Sequence, residues 1–419
     1  MDPSTASRAA IDAVFRIESG RLVAGLTRFV RDVGLAEELA QDTLVAALEK
    51  WPTSGVPENP GAWLMTTAKN RALDQLRRRK LVERKHEELG PVIETTFDAE
   101  AAYEAKGDDV GDDLLRLVFI SCHPVLSMDA RVALTLRLLG GLTTDEIARA
   151  FLTPEATIAQ RIVRAKRTLS EAKPPFEVPR GEELAARTSS VLGVLYLIFN
   201  EGYAATAGDD WVRPGLCEDA MRLGRVLAEL MPSDPEVHGL VALMEIQASR
   251  ARARVLPSGE PVLLLEQDRT KWDHVLLQRG LAALDRATAL GGRGSYVLQG
   301  EIAACHGRAR TAAETDWRRI ADLYAELVNL TPSPVIELNR AVAIAMADGP
   351  AAGLRLVDAI ADEPALGSYH LLPAVRGDLL TKVGRFVEAK AAFEKAASLT
   401  QNAKERALLL ARAAACDGK

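Results

Sequence analysis

A segment near residue 160 carries side chains whose types and spacing suit the reading of DNA. Its apolar residues recur at helical spacing and predict a buried face made of Ile158, Ile162, Ala165 and Leu169. The opposite face carries polar groups, namely Thr157, Gln160, Arg161 and Arg164, with Lys166 and Arg167 flanking. Hydroxyl, amide and guanidinium groups hydrogen-bond base edges and phosphates in the major groove. The pattern predicts a recognition helix; a solvated basic face is the alternative from these residues alone.

A shorter helix is predicted directly before the recognition helix. Thr143 and Glu146 have the spacing of a capping box, in which each side chain bonds the other residue's backbone N–H. The helix is expected to run to about Phe151, and Thr153 and Pro154 then predict an N-cap and a first helical position for the next helix. Two helices separated by so short a turn predict a helix-turn-helix, whose second helix enters the major groove.

A basic stripe is predicted on an earlier helix that starts at Asn59-Pro60. Its buried side carries Leu64, Ala68, Ala72 and Leu76, and its outer side carries Lys69, Asn70, Arg71, Asp74, Arg77 and Arg78. Residues 69–85 contain eight basic side chains against Asp74 and Glu83, although the whole chain has a net charge of -6. Positive charge is therefore local, as DNA binding by an acidic protein requires. A solvated helix end would have the same composition.

An acidic strip is predicted on the helix from Leu35 to Lys50. Leu39, Thr43 and Ala47 form its core side, and the exposed side carries Glu38, Gln41, Asp42 and Glu49. Acidic groups repel phosphate, so a protein partner suits this strip better than DNA does. A merely solvated face is left open by the residues.

The 419 residues are 48% apolar, and helical periodicity runs nearly end to end, which predicts an all-α fold of several domains. Charge and proline divide the chain into a helical region at 8–85, an acidic linker at 86–111, a second helical unit at 112–173 and a C-terminal helical body at 181–419. The linker prediction rests on ten acidic residues against Lys106 within 86–113, and the last boundary rests on the prolines at 174, 175 and 179.

The C-terminal body contains a segment typical of the second helix of a tetratricopeptide repeat. Residues 384–399 combine Phe386 and Phe393 with the small residues Ala389 and Ala396. The first helix of that pair is expected at 369–383, and an earlier pair at 335–347 and 350–360. A generic helical bundle is the alternative. Two polar clusters, at 200–203 and at 266–269 beside Trp272, predict either a pocket or an interdomain contact; helix caps and salt bridges would also explain them.

The sequence does not contain the residue patterns that enzymes, metalloproteins or membrane proteins require. The four cysteines lie far apart, and the adjacent pairs Cys122-His123 and Cys305-His306 have a poor geometry for chelation, so we expect no metal and no cofactor. No phosphate-binding loop, nucleophile elbow or paired catalytic carboxylates are found, so no enzyme is predicted. No apolar run suits a signal peptide or a membrane span, and we expect a cytoplasmic protein.

Five segments carry a resemblance to a known family. Residues 35–44, 59–64 and 68–74 resemble region 2 of bacterial extracytoplasmic-function (ECF) sigma factors of the sigma-70 family, and residues 141–148 and 156–165 resemble region 4. The order and spacing of the two regions also agree with that family. The remainder is similar to the C-terminal extension of the sigma-factor group that carries a tetratricopeptide-like domain. The resemblance implies a region 2 helical bundle, a region 4 helix-turn-helix and a TPR-like C-terminal domain.

The resemblance also implies a function and its residues. A sigma factor binds core RNA polymerase, through the β′ clamp helices and the β flap, and directs it to promoter DNA without catalysing the reaction. Glu38, Gln41 and Asp42 would contact the clamp helices. The loop from about Trp51 to Asn59 would capture a flipped −10 base, and the −10 strands would meet Asn59, Lys69, Asn70, Arg71, Arg77 and Arg78. The −35 element would be read by Thr157, Gln160, Arg161, Arg164 and Arg167.

Two features depart from the family pattern. Cys122-His123-Pro124 stands where many members have a leucine-proline turn, so this corner is expected to pack differently. The long C-terminal domain is absent from most sigma factors, and we expect it to modulate activity and to offer a site for a protein regulator. The alternative function is a one-component helix-turn-helix regulator whose helical body binds a ligand or a protein. Such a regulator would not need the first 80 residues.

Overall fold

The computed structural model describes residues 3–86, 110–151, 153–204, 207–208, 214–256 and 260–417. Within these ranges eighteen α-helices account for most of the chain, and the predicted all-α fold is confirmed. The predicted acidic linker falls mostly on residues 87–109, which lie outside the described residues. Its last two positions, Val110 and Gly111, are the first residues of a helix. Among the described helices, none is both long enough and apolar enough to cross a membrane.

The chain divides into two compact units, Met1–Val194 (unit 1) and Leu195–Lys419 (unit 2). The helices of unit 1 are α1 Pro3–Val30, α2 Val33–Ser54, α3 Pro60–His86, α4 Val110–Ser121, α5 Met128–Leu138, α6 Thr144–Ala150 and α7 Glu155–Ala172. Helix α8, Gly181–Tyr203, begins where the C-terminal body was predicted to begin, and the division between the units falls inside it. Its first half belongs to unit 1 because Arg187 donates to Phe119 O at 2.7 Å and Ser190 Oγ donates to Cys122 O at 3.1 Å.

Helices α1, α2 and α3 pack against one another as a bundle. The predicted core positions of α2 and α3 whose side chains are described are buried: Leu39, Thr43, Ala47, Leu64, Ala68 and Ala72. The side chain of Leu76, also predicted on the buried side of α3, lies outside what the structure describes. Helix α2 begins after Asp32, whose Oδ1 accepts from the backbone N–H of Leu35 at 2.8 Å. It ends before Gly55, whose φ of 81° lies in the left-handed region that glycine adopts without strain. These caps fix the length of the helix that carries the acidic strip.

Unit 2 is built from helices and one pair of very short strands. Its further helices are α9 Pro214–Leu230, α10 Pro235–Ala248, α11 His274–Ala289, α12 Ser295–Arg308, α13 Trp317–Leu330, α14 Pro334–Asp348, α15 Pro350–Ala359, α16 Leu371–Lys382, α17 Phe386–Leu399 and α18 Ala403–Ala414. The strands β1 Ala207–Gly208 and β2 Gln401–Asn402 pair in parallel, with Ala207 opposite Gln401. The helix pairs expected at 335–360 and at 369–399 are present as α14–α15 and α16–α17, which confirms those helices.

Helices α13 to α18 each pack on the next one along the chain. The small residues at the contacts permit close approach: Ala389 and Ala396 are fully buried beside Phe393. A Cβ on Gly377 of α16 would lie 2.9 Å from the Phe393 ring, so glycine makes room for that ring. The packing agrees with the roles predicted for these residues, and the assignment to a tetratricopeptide-like class remains a prediction.

Candidate promoter-DNA and polymerase interfaces

The predicted recognition helix is α7, and the four residues of its predicted apolar face are buried: Ile158, Ile162, Ala165 and Leu169. The preceding capping box is confirmed, since Thr143 N donates to Glu146 Oε2 at 2.7 Å and Glu146 N donates to Thr143 Oγ1 at 3.2 Å. The predicted cap of α7 is wrong. Pro154 occupies the N-cap, and the hydroxyl of Thr153 instead donates to Phe151 O at 3.1 Å. Leu152, in the turn, lies outside the described residues.

The outer face of α7 borders an open groove of about 420 Å³, whose other side is the N-terminal end of α5. Thr157, Gln160 and Arg164 are exposed on this face. Arg161 is half-buried, and its Nη2 lies 3.2 Å from Asp129 Oδ2. A contact from Arg161 to DNA therefore requires that this exposed ion pair be exchanged for a phosphate or a base. Thr157, Gln160 and Arg164 are thus accessible to a DNA duplex, whereas Arg161 is paired with Asp129 beside the groove.

Two cations near the end of α7 differ in their surroundings. Arg167 is exposed, and its Nε donates to Glu171 Oε1 at 2.7 Å, which raises the pKa of the guanidinium. Lys166, predicted to flank the recognition face, instead contacts the carboxylate of Glu37 on α2. Lys166 therefore serves packing within unit 1 rather than the candidate DNA face.

The basic stripe lies on α3, and Asn59 begins that helix as predicted, with its Oδ1 accepting from Ala62 N at 3.0 Å. Asn70 and Arg77 are exposed, whereas Lys69 and Arg71 are half-buried. Nη1 of Arg77 lies 3.8 Å from Asp74 Oδ1, an exposed pair of little energy. Helix α3 includes Arg78, but the position of that side chain lies outside what the structure describes.

The acidic strip of α2 has Glu38 and Asp42 exposed and Gln41 half-buried. Oδ2 of Asp42 lies 3.9 Å from Nη1 of Arg71 on α3, so a residue assigned to polymerase and a residue assigned to DNA are neighbours. The side chain of Asp42 keeps 65% of its surface exposed, and such a pair is easily exchanged for another partner. Among the described residues Glu38, unlike Asp42, forms no ion pair.

The predicted base-capture loop is shorter than the sequence suggested. Helix α2 continues to Ser54, and Trp51 is buried, with its ring centroid 5.3 Å from that of Trp63 in an edge-to-face arrangement. Trp51 therefore belongs to the core and cannot stack on an extruded base. The segment between α2 and α3, residues 55–59, is what remains for that role.

Sequence reasoning missed a buried carboxylate that joins the two helical modules of unit 1. Glu37 is 4% exposed; its Oε1 accepts from Arg137 Nε of α5 at 2.6 Å, and its Oε2 contacts the ammonium of Lys166 on α7. A glutamate next to the predicted acidic strip gives no signal of burial, because its partners are about 100 residues away in the chain. Ser170 adds a second link, donating to Asp32 Oδ2 at 3.3 Å.

Asp113, one of the acidic residues counted within 86–113, follows the predicted linker and falls within the predicted second helical unit, 112–173. It lies in α4, nearly buried, with Oδ1 2.6 Å from Arg116 Nη1 and Oδ2 3.4 Å from Arg28 Nη1 of α1. Burial raises the pKa of Asp113, and the two guanidinium groups oppose that rise. Asp113 thus holds α4 against α1.

The corner at Cys122 and His123 serves packing. The thiol of Cys122 is buried 3.4 Å from Thr135 Oγ1, and burial raises its pKa. Nδ1 of His123 accepts from Val125 N at 3.1 Å, which occupies a potential metal-ligating nitrogen. Among the residues with described positions, no group of three or more His, Cys, Asp or Glu side chains is placed to hold a metal ion.

Comparison with known proteins matches three parts of the chain to protein families. Sigma-70 region 2 matches residues 14–82 and sigma-70 region 4 matches residues 116–169, while residues 187–288 match a family of unknown function (DUF6596). An uncharacterized protein of Rhizobium meliloti (strain 1021) is 41% identical over 389 residues, which are 92% of this chain and 90% of that protein. The extension is therefore shared by a relative of similar length.

Named relatives align with unit 1. The ECF RNA polymerase sigma factor SigK of Mycobacterium ulcerans (strain Agy99) is 30% identical over 148 residues, 34% of this chain and 75% of that protein. SigK of Mycobacterium sp. (strain KMS) is 29% identical over 161 residues, 36% of this chain and 77% of that protein. The region 2 match favours a sigma factor over the one-component regulator, which would not need that region. The chain belongs to the family of ECF RNA polymerase sigma factors.

Proposed function

We propose that this sigma factor reads the −35 element with the outer face of α7 and the −10 element with the α3 stripe, while the exposed acidic strip of α2 binds the clamp helices of core polymerase. The observation that carries the proposal is the exposure of Thr157, Gln160 and Arg164 on a helix whose other side is buried. The donors of a seated helix are preorganised for the major groove, so little entropy is lost on binding.

The two DNA-binding faces must move apart for this function. The −10 and −35 elements are about 25 base pairs apart, which is ~85 Å of B-form duplex at 3.4 Å per pair. A compact unit the size of unit 1 is only about 40 Å across. We therefore propose that the contacts of Glu37 with Arg137 and Lys166 hold unit 1 in a closed state, and that polymerase binding opens it.

Transcription in vitro tests the core of the proposal. Purified core polymerase and this protein should give promoter-specific transcripts without another sigma factor. Glu38→Arg should abolish polymerase binding in a pull-down, because it reverses the charge of an exposed side chain on the strip. Glu177→Arg, an equally conservative change of an exposed glutamate outside α2, is the matched control and should bind as the unmodified chain does. Equal binding by the two variants would contradict the assignment of the polymerase face.

We further propose that unit 2 modulates the activity of unit 1. The two units are compact on their own, and the extension is shared by a relative of nearly the same length. A chain that ends at Val194 should fold, as judged by helical circular dichroism, and should transcribe at a rate different from that of the full chain. A rise would mean inhibition by unit 2, a fall would mean that unit 2 is required, and an unchanged rate would contradict modulation.

A further inference from the structure

The two polar clusters that the sequence left unexplained meet in unit 2. Tyr203, from the first cluster, stacks under Arg254, whose Cζ lies 3.5 Å from the ring centroid, and Arg250 Cζ lies 5.8 Å from the same centroid. Arg250 Cζ is also 5.9 Å from the ring of Trp272, and Arg269 Cζ is 4.9 Å from that ring. Three guanidinium groups and two aromatic rings thus alternate in what we call the arginine–aromatic cluster.

The positive charge of this cluster is only partly offset, by the charge of Glu314 acting on Arg269. Within the described ranges, none of Arg250, Arg254 and Arg269 forms an ion pair with a carboxylate. Their acceptors are neutral: Arg254 donates to Tyr203 O, Arg250 donates to Tyr203 Oη at 2.5 Å, and Arg269 donates to Ala309 O at 2.7 Å. Arg254 keeps only 8% of its surface exposed. Burying cations together is unfavourable unless an anion compensates them.

The pKa values of the cluster reflect this surplus of positive charge. Burial and the nearby Arg250 lower the pKa of Arg269, with Glu314 opposing, and burial is also the largest cause of the lowered pKa of Arg254. Burial, Arg250 and Arg269 lower the pKa of His306 to about 4, so this imidazole is neutral at pH 7 and adds no further cation.

Several buried polar atoms around the cluster have no hydrogen-bond partner. They are Arg250 Nε, Gln267 Oε1, Trp272 Nε1 and His306 Nδ1. Trp272 is 4% exposed, so its indole N–H cannot be satisfied by bulk water. Two of these atoms, Arg250 Nε and Trp272 Nε1, are N–H donors. Native proteins leave few buried donors unpaired, and two of them beside cations without paired carboxylates indicate a missing acceptor.

We propose that the arginine–aromatic cluster of unit 2 binds a small oxyanion, the phosphate or carboxylate group of a metabolite. Guanidinium groups bind both kinds of oxyanion through paired N–H donors, and the indole N–H of Trp272 supplies another donor. A small anion fits better than a macromolecule because Arg254 and Trp272 are almost entirely buried. The site goes beyond the proposed function, since neither DNA nor polymerase is needed to occupy it.

Titration of the full-length protein tests the proposal without polymerase or DNA. Inorganic phosphate and succinate are added separately, with sodium chloride adjusted to keep the ionic strength constant, and heat of binding and thermal unfolding are followed. Saturable binding is expected for one or both anions. At ten times the dissociation constant, the melting temperature of unit 2 should rise by about 3–6 °C. Binding of phosphate alone assigns a phosphate ligand, and binding of succinate alone assigns a carboxylate ligand.

Variants locate the binding to the cluster. Arg250→Gln should weaken binding about 10- to 100-fold, because it removes a charged hydrogen-bond donor. Arg252→Gln is the matched control, an exposed arginine two residues away, and should bind as the unmodified chain does. Trp272→Phe retains an aromatic ring but lacks the indole N–H, so it should weaken anion binding several-fold. If Arg250→Gln does not fold, Trp272→Phe is the variant that tests the location of the site. Absence of saturable binding by the unmodified chain, or equal binding by the unmodified chain and both cluster variants, overturns the proposal.

Discussion

The closed state of unit 1 depends on Glu37, and Glu37→Gln is the variant that tests it. Glutamine has the same shape, and its carbonyl can still accept from Arg137 Nε, but its amide presents N–H groups to the ammonium of Lys166. The side chains of Arg137 and Lys166 are 18% and 22% exposed, so both cations would be left largely buried and without their anion. Removing one partner from a buried ion pair costs about 3–5 kcal/mol. Since both cations keep some contact with water, we expect about 3 kcal/mol.

Hydrogen exchange measures this loss in the full-length chain. A change of about 3 kcal/mol corresponds to a roughly 150-fold rise in the opening equilibrium between α2 and α7. Amides of α7 should exchange correspondingly faster, while amides of α14–α17 in unit 2 should not change. Glu38→Gln is the matched control, since it alters the same functional group one residue away on an exposed side chain.

The affinity for core polymerase gives a second measurement, and it should increase although the stability of the closed unit decreases. If the closed state competes with the open state, then loosening it raises the fraction of competent molecules, and the apparent affinity for core polymerase rises. Glu37→Gln should therefore bind core polymerase more tightly although the closed unit is less stable. Equal exchange of α7 in Glu37→Gln and Glu38→Gln would refute the energetic reasoning. Faster exchange with weaker polymerase binding would refute the opening of unit 1.

Three further predictions follow from single contacts. Thr143→Ala should destabilise α6 by about 1 kcal/mol, measured as faster amide exchange in that helix, whereas Thr143→Ser should retain the cap. Arg164→Ala should weaken binding of holoenzyme to a −35-containing promoter by about 1–3 kcal/mol. Arg180→Ala, which changes another exposed arginine, is the control. If Arg164→Ala lowers the affinity equally for the native and the −35-scrambled promoter, then Arg164 contacts phosphate and not a base. The pKa of His306 is about 4 in the fold against its ordinary value of 6.5, so the neutral imidazole adds to the free energy of unfolding above pH 6.5, and this contribution, about 3 kcal/mol at most, is lost as pH falls toward 4. Urea unfolding of unit 2 should therefore depend less on pH in His306→Gln than in the unmodified chain, and identical pH dependence would contradict this.

Local patterns predicted local structure well. The buried face of α7 could be read from the spacing of Ile158, Ile162, Ala165 and Leu169, because a helix repeats its faces within a few residues. The capping box at Thr143 and the start of α3 at Asn59 were equally local, and both were found. The predicted helix from Leu35 to Lys50 was shorter than α2, which continues through Pro52 and ends only before Gly55.

Contacts between residues far apart in the chain could not be predicted, and they give several charged residues a role other than the predicted one. Asp113 was interpreted from its acidic neighbours, but Arg28 and Arg116 surround it in the fold. Lys166 was interpreted as part of a basic face, but Glu37, more than a hundred residues earlier, binds it. A charged side chain on a helix has the same appearance in sequence whether it meets solvent, DNA or a buried counter-ion.

The same limit explains why the arginine–aromatic cluster was not found in the sequence. Its residues come from the end of α8, the segment after α10 and the segment before α11, and no local period connects them. The sequence showed only two groups of polar residues, at 200–203 and 266–269, within helical segments. Helix caps and salt bridges are the usual explanation for such groups. The fold brings the arginines of these segments together without paired carboxylates, and that absence of paired counter-ions within the described ranges, rather than the residue types, is what indicates a ligand.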